Sequence, residues 1–443
     1  MRRISRRAAG LALLVSAALA PFGPGARAAG RDAAEAIFRG ARAYTVRIRT
    51  EIVTPFAEDS RGAFMGAGFV VDASCGWVLT NAHVVGQSPS TVLVAFADEP
   101  FVAARKIYVD SFTDVAVLAI EVKGKVLHAA PLDCSETPNV GESVGAFGHP
   151  LGLLFTGSRG IVSGRTDQIG PDLLQIDATV DHGNSGGPVI RLRDGRVVGI
   201  ATAGAGGQRS DRVNFATPMK DVCRILDLLK AGVAPDPPKM PFSLLVNEDG
   251  SHTLQVGCTF DSTRWPFEPG DRIVSLPGHE GSLKTLSDLV TALRGRPGPV
   301  PLLVERQGKR VQIEITPERR APVLERRAAI IDGALIAPAA FEDAPALREA
   351  AEFMIQSVEP GSAAEGLGLG QQDIVDTFDG HRFESLQLLM AYLRQHPRGT
   401  PIRLVLRRWS GAIHGIFDYH VRELPGEDVR FVGVEEPVAS DGR

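Results

Sequence analysis

Short apolar segments, each bounded by Gly, Pro or Asp, make up the chain between residues 44 and 216. A short helix is predicted over 33–42, and strict alternation over 44–48 marks a half-buried strand. Asp194-Gly195 lies between two runs rich in Val and Ile and predicts a tight hairpin. The region is therefore predicted to be an all-β barrel or sandwich. The remaining predicted strands are 66–71, 77–80, 90–97, 115–120, 143–147, 160–164, 173–177, 188–193 and 196–203.

An amphipathic helix follows this region. Thr217 is placed as its N-cap and Pro218 as its first residue, because proline is favoured at that position. Gly232 ends the pattern, and the prolines that follow predict a stiff linker over 233–241 and a domain boundary. The apolar face of the helix consists of Val222, Ile225, Leu226 and Leu229.

Beyond the linker the chain contains an internal repeat with a period of about 100 residues. Two small α+β modules are predicted from it, over 242–320 and 321–424. Residues 425–443 are polar and are predicted to form a disordered tail. The repeated helical stripes are Leu286, Leu289, Val290 and Leu293 in the first copy and Leu386, Leu389, Met390 and Leu393 in the second.

The first 28 residues have the pattern of a signal peptide. Arginines precede an apolar run of thirteen residues over 8–20, and Ala26-Arg27-Ala28 provides a small-x-small site, so cleavage is predicted after Ala28. The run is shorter than the roughly 20 residues that span a bilayer, so a retained anchor is the weaker alternative. Ser5-Arg6-Arg7 leaves a twin-arginine export route open.

Charge and cysteine usage exclude several functions. Removal of residues 1–28 leaves 43 basic against 52 acidic residues, a net charge of −9, which argues against binding to nucleic acid or anionic membranes. The cysteines form no CxxC pair, which argues against zinc, and no metal and no cofactor is predicted. In an exported chain they allow disulfides with three possible pairings, or free thiols. They are Cys75, Cys134, Cys223 and Cys258.

The first candidate for chemistry is a serine among glycines, in the stretch 181–188, which reads Asp-His-Gly-Asn-Ser-Gly-Gly-Pro. A serine hydroxyl needs a base to become nucleophilic, and neighbouring glycines let backbone N–H groups approach a developing oxyanion. Ser185 therefore calls for a histidine and an acid elsewhere in the chain.

Two earlier strand ends supply the partners. His83 follows the apolar strand 77–80, and Asp114 precedes the strand 115–120, where an acid needs a donor such as an imidazole N–H. Residues 183–187 also match the G-x-S-x-G elbow of α/β-hydrolases, but that elbow leads into a helix and its partners follow the serine. Here a hairpin follows Ser185 and both partners precede it, so that fold is set aside.

These residues resemble the HtrA/DegP family of trypsin-like serine proteases. The matching blocks are Thr80–Val85, Asp114–Leu118, Ala146–Gly152, Gly160–Ser163 and Gly183–Pro188, in the order of the family. The resemblance, over about 35–425, implies a trypsin-like double β-barrel protease domain over 29–232, followed by two α+β PDZ domains. It implies His83 as general base and acid, Asp114 as its orienter, Ser185 as nucleophile, and the N–H groups of Gly183 and Ser185 as oxyanion hole.

The resemblance also places the substrate pocket. Its base is expected at Thr179, and a pocket without an acid predicts small aliphatic residues before the cut. Asp181-His182 stands where the family usually has Asn-Pro, which puts the stability of the oxyanion loop in question. The expected pocket wall is Ile200, Ala201 and Thr202.

In the second PDZ-like module, Gly333-Ala334-Leu335-Ile336 is the expected carboxylate-binding loop, with the groove helix over 386–393. The first module is less regular, and its loop is not assigned. Implied partners are unfolded polypeptides and C-terminal peptides, in a homotrimer or larger assembly in the periplasm. Two functions are compared: an ATP-independent serine endopeptidase, favoured by the intact His, Asp and Ser, and a holdase chaperone with an idle protease site.

Overall fold

A computed structural model describes the chain in eleven stretches, and its first sheets are two closed barrels. The described residues are 34–124, 126–149, 155–166, 171–181, 183–202, 214–246, 252–279, 283–296, 298–339, 353–409 and 417–433. The predicted signal peptide, His182 and residues 434–443 lie outside them.

The first barrel contains strands β1 to β6, closed in the order β1-β2-β3-β6-β5-β4. A helix, α1, precedes it over 34–41, and the short helix α2 follows β3. Strand β5 was not predicted, because exposed and half-buried residues share its first half. The bounds are β1 Thr45–Ile52, β2 Gly62–Asp72, β3 Trp77–Thr80, α2 Ala82–Val85, β4 Thr91–Ala95, β5 Val102–Asp110 and β6 Val115–Ile120.

The second barrel closes in the order β10-β11-β12-β9-β8-β7. One core cluster joins the first barrel to residues of the second, such as Phe147 and Ile200, while a separate cluster fills the second barrel. The predicted all-β architecture is confirmed as a double barrel. The bounds are β7 Ser143–Gly148, β8 Thr156–Thr166, β9 Leu173–Ile176, β10 Pro188–Arg191, β11 Val197–Thr202 and β12 Asn214–Pro218.

Helix α3, Met219–Lys230, closes the double barrel and buries Val222, Ile225 and Leu226 as predicted. The predicted N-cap is wrong: Thr217 is still in β12, and its hydroxyl donates to the Thr113 carbonyl at 3.3 Å. Pro218 takes the N-cap position instead and forms no side-chain cap.

The proline-rich connection packs against both neighbours. Residues 235–238 are buried. The Pro235 carbonyl accepts hydrogen bonds from the Tyr108 hydroxyl, at 3.2 Å, and from Arg294 Nη1, at 2.6 Å. The connection therefore joins the barrels to the next unit as packed structure.

That unit is a five-stranded antiparallel sheet in sequence order with one helix, α4, packed on it. Thr285 and Asp288 form a capping box at the start of α4. The bounds are β13 Phe242–Val246, β14 His252–Thr259, β15 Arg272–Ser275, α4 Leu286–Leu293, β16 Val300–Arg306 and β17 Lys309–Ile315.

The last unit is a seven-stranded sheet in the order β23-β22-β21-β20-β19-β18-β24. The prediction of a disordered tail is wrong for 425–433, because β24 pairs with β18 along its whole length. The bounds are a 3₁₀ turn Val323–Glu325, β18 Ala328–Ile331, β19 Ala334–Pro338, β20 Phe353–Val358, α5 Ala363–Gly366, β21 Ile374–Phe378, α6 Leu386–Gln395, β22 Ile402–Trp409, β23 Phe417–Leu424 and β24 Val429–Val432.

This sheet must be strongly curled, because its two outermost strands are consecutive in the chain. From Leu424 to Val429 the backbone spans at most about 18 Å. Six strand spacings in a flat sheet measure about 29 Å. Curling brings β24 beside the sheet's core, where Val429 and Phe431 pack against the cluster that contains α6.

Candidate active site

The predicted histidine and acid meet at the edge of the first barrel. His83 lies on α2 directly after β3, and Asp114 lies in the turn between β5 and β6. The distance between His83 Nδ1 and Asp114 Oδ2 is 2.8 Å, and the backbone N–H of His83 donates to Oδ1 at 3.0 Å. A carboxylate beside Nδ1 favours the tautomer with the proton there, which leaves Nε2 free to accept a proton.

Two further side chains hold Asp114 in place. The Thr202 hydroxyl donates to Asp114 Oδ2 at 3.2 Å, and Asn81 Nδ2 donates to the Asp114 carbonyl at 2.8 Å. The turn itself is organised by Asp110, whose carboxylate accepts the Thr113 hydroxyl at 2.6 Å. Asp114 is thus fixed by donors from β11, from the end of β3 and from His83 on α2, while Asp110 orders the turn before it.

Ser185 lies in a glycine-rich turn that needs its glycines. Gly183 and Gly186 have φ values of +104° and +86°, in the left-handed region. A Cβ at Gly186 would collide with the Ala67 carbonyl and the Thr80 hydroxyl. The Ser185 carbonyl accepts the Ala67 N–H at 2.8 Å, so β2 holds the turn against the first barrel.

Gly66 in β2 lets the two halves of the site approach. A Cβ there would lie 2.5 Å from Val84 Cγ1 and 3.2 Å from the Ser185 carbonyl oxygen. Val84 is the neighbour of His83 on α2, so the histidine-bearing helix and the serine-bearing turn lie against the same glycine. The structure therefore brings His83, Asp114 and Ser185 to one place between the barrels.

His149 supports the turn, a role that the sequence pattern did not reveal. Its backbone N–H donates to the Gly183 carbonyl at 3.2 Å, and its Nδ1 accepts the Phe155 N–H at 3.1 Å. Burial lowers the pKa of His149 to about 4, so the ring is neutral near pH 7. The only available signal was its place in the Gly-His-Pro-Leu-Gly block.

The predicted pocket residues separate in the structure. Thr179 is exposed at the surface, and its carbonyl accepts the Ser158 hydroxyl at 2.7 Å. Ile200 and Ala201 are both 0% exposed and belong to two different core clusters, and their place in the pocket wall stays a prediction. Thr202 keeps some exposure beside Asp114.

The predicted carboxylate loop of the second module is wrong. Gly333 forms the turn between β18 and β19 with φ +93°, and the three residues after it are fully buried in β19. Strand β19 pairs with β18 on one side and β20 on the other. Its backbone groups are engaged on both sides, so it offers no edge to a peptide.

The described stretches contain neither a cluster suited to a metal ion nor a helix suited to a membrane. Among these residues no cluster of three or more His, Cys, Asp or Glu side chains is arranged as a metal site. In the same part of the chain, no helix combines the length and apolar character needed to cross a membrane.

Comparison with known proteins gives a consistent family for the barrels. The family described as trypsin-like peptidase domain matches residues 66–200. The putative serine protease HhoA of Synechocystis sp. is 40% identical over 184 residues, which cover 39% of this chain and 45% of that protein. A probable periplasmic serine endoprotease DegP-like of Rhizobium meliloti is 35% identical over 240 residues, which cover 52% and 45%.

The chain thus spans about half the length of the curated relatives it matches. The solved structure of an HtrA-type protease AlgW with tripeptide has a TM-score of 0.51 and 24% identity, and covers 65% of this chain and 97% of that one. At this identity the likeness shows the fold.

Proposed function

Because the peptidase domain of this chain belongs to the HtrA family of trypsin-like serine proteases, we propose that the chain is an ATP-independent serine endopeptidase. The observation that carries the proposal is the 2.8 Å contact between His83 Nδ1 and Asp114 Oδ2, beside a serine held in a glycine turn. This arrangement provides a half-exposed histidine oriented by a carboxylate, and a serine whose turn is hydrogen-bonded to the first barrel.

The proposed reaction is acyl transfer in two steps. Ser185 Oγ attacks the peptide carbonyl while His83 Nε2 takes its proton, and the N–H groups of Gly183 and Ser185 stabilise the oxyanion. The C–N bond then breaks as His83 gives that proton to the leaving amine. Water next attacks the acyl-enzyme, its proton passes to His83, and the carboxylic acid product leaves as Ser185 recovers its proton.

We further propose that the substrates are unfolded or misfolded polypeptides of the cell envelope, in the periplasm, cut after small aliphatic residues. The name of the Rhizobium meliloti relative supports the location. Thr179 and Thr202 carry no charge, so neither offers an ionic partner to a basic substrate side chain. Mapping of cleavage sites in an unfolded substrate tests this; predominant cutting after Arg or Lys contradicts it.

The C-terminal units are proposed to be two PDZ-like modules that bind peptides and regulate the peptidase. Each has an antiparallel sheet covered by one helix that starts at a hydroxyl N-cap, Thr285 or Ser385. Assembly as a homotrimer or a larger oligomer is part of the same proposal.

Casein hydrolysis tests the peptidase proposal. The parent chain should degrade unfolded casein without ATP, and Ser185→Ala should lower kcat by on the order of 10⁶-fold, because the nucleophile is lost. A Ser74→Ala variant, which removes an exposed hydroxyl bonded to Asp72, is the matched control and should keep full activity. Equal persistence of casein with parent and Ser185→Ala would favour the holdase.

A further inference from the structure

We propose that β24 is an internal ligand of the second repeat, lodged on the sheet edge where an external peptide docks. An extended segment with the pattern of Val429-Arg430-Phe431-Val432, apolar, basic, aromatic, apolar, is the partner that displaces it. The inference rests on the proposed peptide-binding role of this repeat and is independent of the peptidase reaction.

The pairing of the strands identifies the edge. Strand β18 has β19 on one side and β24 on the other, and β19 is itself enclosed by β20. Removal of β24 would expose one row of backbone donors and acceptors on β18, which is the requirement for adding a peptide strand. Strand β24 fills that row over four antiparallel pairs, from Ala328 opposite Val432 to Ile331 opposite Val429.

The inner face of β24 is matched to helix α6. Val429 and Phe431 pack against the cluster that includes Leu389 and Leu393 of the helix. The guanidinium of Arg394, on the same helix, lies 5.1 Å from the centroid of the Phe431 ring, within cation–π distance. The segment thus lies between a strand and a helix, with an aromatic side chain under a cation.

The outer face adds a charge requirement. Arg430 donates to the Glu359 carboxylate at 2.8 Å, and Val432 packs against a small cluster that contains Phe56 of the first barrel's β1–β2 connection. A competing peptide therefore needs a basic residue opposite Glu359. The residue of that peptide equivalent to Val432 would contact the peptidase domain, so replacement of β24 by the peptide would take place next to the barrels.

The attachment of β24 is suited to exchange. Only four residues are paired, and all four keep partial or full exposure. By contrast, the connection before it is anchored by buried Asp332, whose carboxylate accepts the backbone N–H groups of Gly426, Glu427 and Asp428 at 2.7 to 3.0 Å. The anchor keeps the segment near its edge at a high effective concentration while the short strand itself can leave.

The first repeat indicates that β24 is a strand added to the module that the two repeats share. Its five strands correspond to β19–β23, and its described residues include no strand equivalent to β18 or β24. The common module is therefore complete without the internal ligand.

A labelled peptide with the sequence of residues 427–434 serves as the probe, with fluorescence anisotropy as the readout. The protein is the full chain carrying Ser185→Ala, so that the probe is not cleaved. Val429→Ala/Phe431→Ala, which weakens the internal strand, should bind the probe at least tenfold more tightly than the parent. The matched control is Tyr419→Ala/Val421→Ala, which truncates two exposed side chains of β23 at the opposite edge and should match the parent.

Hydrogen exchange on the chain with its internal strand intact gives a second readout that needs no weakened variant. Saturating probe should increase exchange at the amides of β24 and leave the β22–β23 ladder protected. A probe with Glu in place of the residue equivalent to Arg430 should bind at least tenfold more weakly, because it faces Glu359. Unchanged exchange in β24, or equal affinities of the parent and the weakened variant, would overturn the proposal. Casein hydrolysis by the chain with Ser185 intact tests the peptidase function separately, so neither result bears on that function.

Discussion

Asp114 has a φ of +54°, in the left-handed region that few side chains adopt without strain. Asp and Asn tolerate this region because a short polar side chain bonds its own neighbourhood. The bent backbone lets the carboxylate face two donors of His83 while its own carbonyl accepts from Asn81. At this position one residue type satisfies both the turn and the chemistry.

Asp114→Asn is therefore expected to keep the fold and lose the reaction. An amide in place of the carboxylate favours the wrong tautomer of His83, and kcat for casein or a fluorogenic peptide should fall about 10⁴-fold. The melting temperature should change little, since Asn accepts the same φ. Asp98→Asn, the same change at another left-handed position with φ +61°, is the control and should leave kcat unchanged.

His149 should make the fold sensitive to acid. Its folded pKa, about 4, lies below the ordinary value of 6.5, so the unfolded chain binds more protons between these pH values. The neutral ring's contribution is complete above pH 6.5 and is lost as the pH falls towards 4, at a cost of up to about 3 kcal/mol.

Urea unfolding of parent and His149→Asn between pH 7 and 4 measures this dependence. The variant should lose less stability over that range than the parent does, whereas substitution of exposed His128 by Asn should leave the parent's slope unchanged. Parallel curves for parent and His149→Asn would contradict the assignment.

At the scale of elements, the end of α4 is tied to the turn that carries Asp114. Arg294, the C-cap of α4, is fully buried, and its Nη2 donates to Asp110 Oδ2 at 2.5 Å. Asp110 in turn accepts the Thr113 hydroxyl, one residue before Asp114. The first C-terminal unit therefore contacts the turn that carries Asp114 through this ion pair.

Arg294→Met should cost about 3–5 kcal/mol in the free energy of unfolding, because Asp110 is left charged and buried without its partner. It should also lower kcat by loosening the turn. Arg294→Met/Asp110→Asn should recover at least 1 kcal/mol relative to the sum of the single changes, as a double-mutant cycle measures. Additive effects would show that the pair does not couple the unit to the turn.

At the scale of the whole molecule, one covalent link encloses the second barrel. A disulfide joins Cys134, before β7, to Cys223 on α3, with 89 residues of separation, and all six strands of that barrel lie between them. Cys75 and Cys258 are free thiols. The described structure thus has one bridge and two free thiols, and none of the three complete pairings of four cysteines is formed.

Cys134→Ser/Cys223→Ser should lower the free energy of unfolding by about 2–5 kcal/mol, since a loop of this length restricts the unfolded chain considerably. Cys75→Ser/Cys258→Ser leaves that loop closed and should have an effect below 1 kcal/mol. Chemical denaturation of both variants gives the comparison; similar losses in the two would refute a stabilising role for the bridge.

The local pattern of the chain determined the short strands, the helices α3, α4 and α6, and the His83, Asp114 and Ser185 set. Alternation and helical period depend on neighbours a few residues apart, so they are visible in one sequence. The same reasoning placed Gly333–Ile336 in a loop, because local pattern does not show which strands pair with each other. In the structure β19 is paired on both sides.

Tertiary structure alone decided the contacts between distant residues. Four contacts join segments whose local sequence patterns give no sign of one another. They are the His83 to Asp114 bond, the Arg294 to Asp110 pair across 184 residues, the disulfide, and the pairing of β24 with β18. Such contacts depend on how the barrels close and how the last sheet curls, because chain closure sets which edges and turns meet. The sequence thus supplied the reactive groups, and the closed fold determined which of them touch.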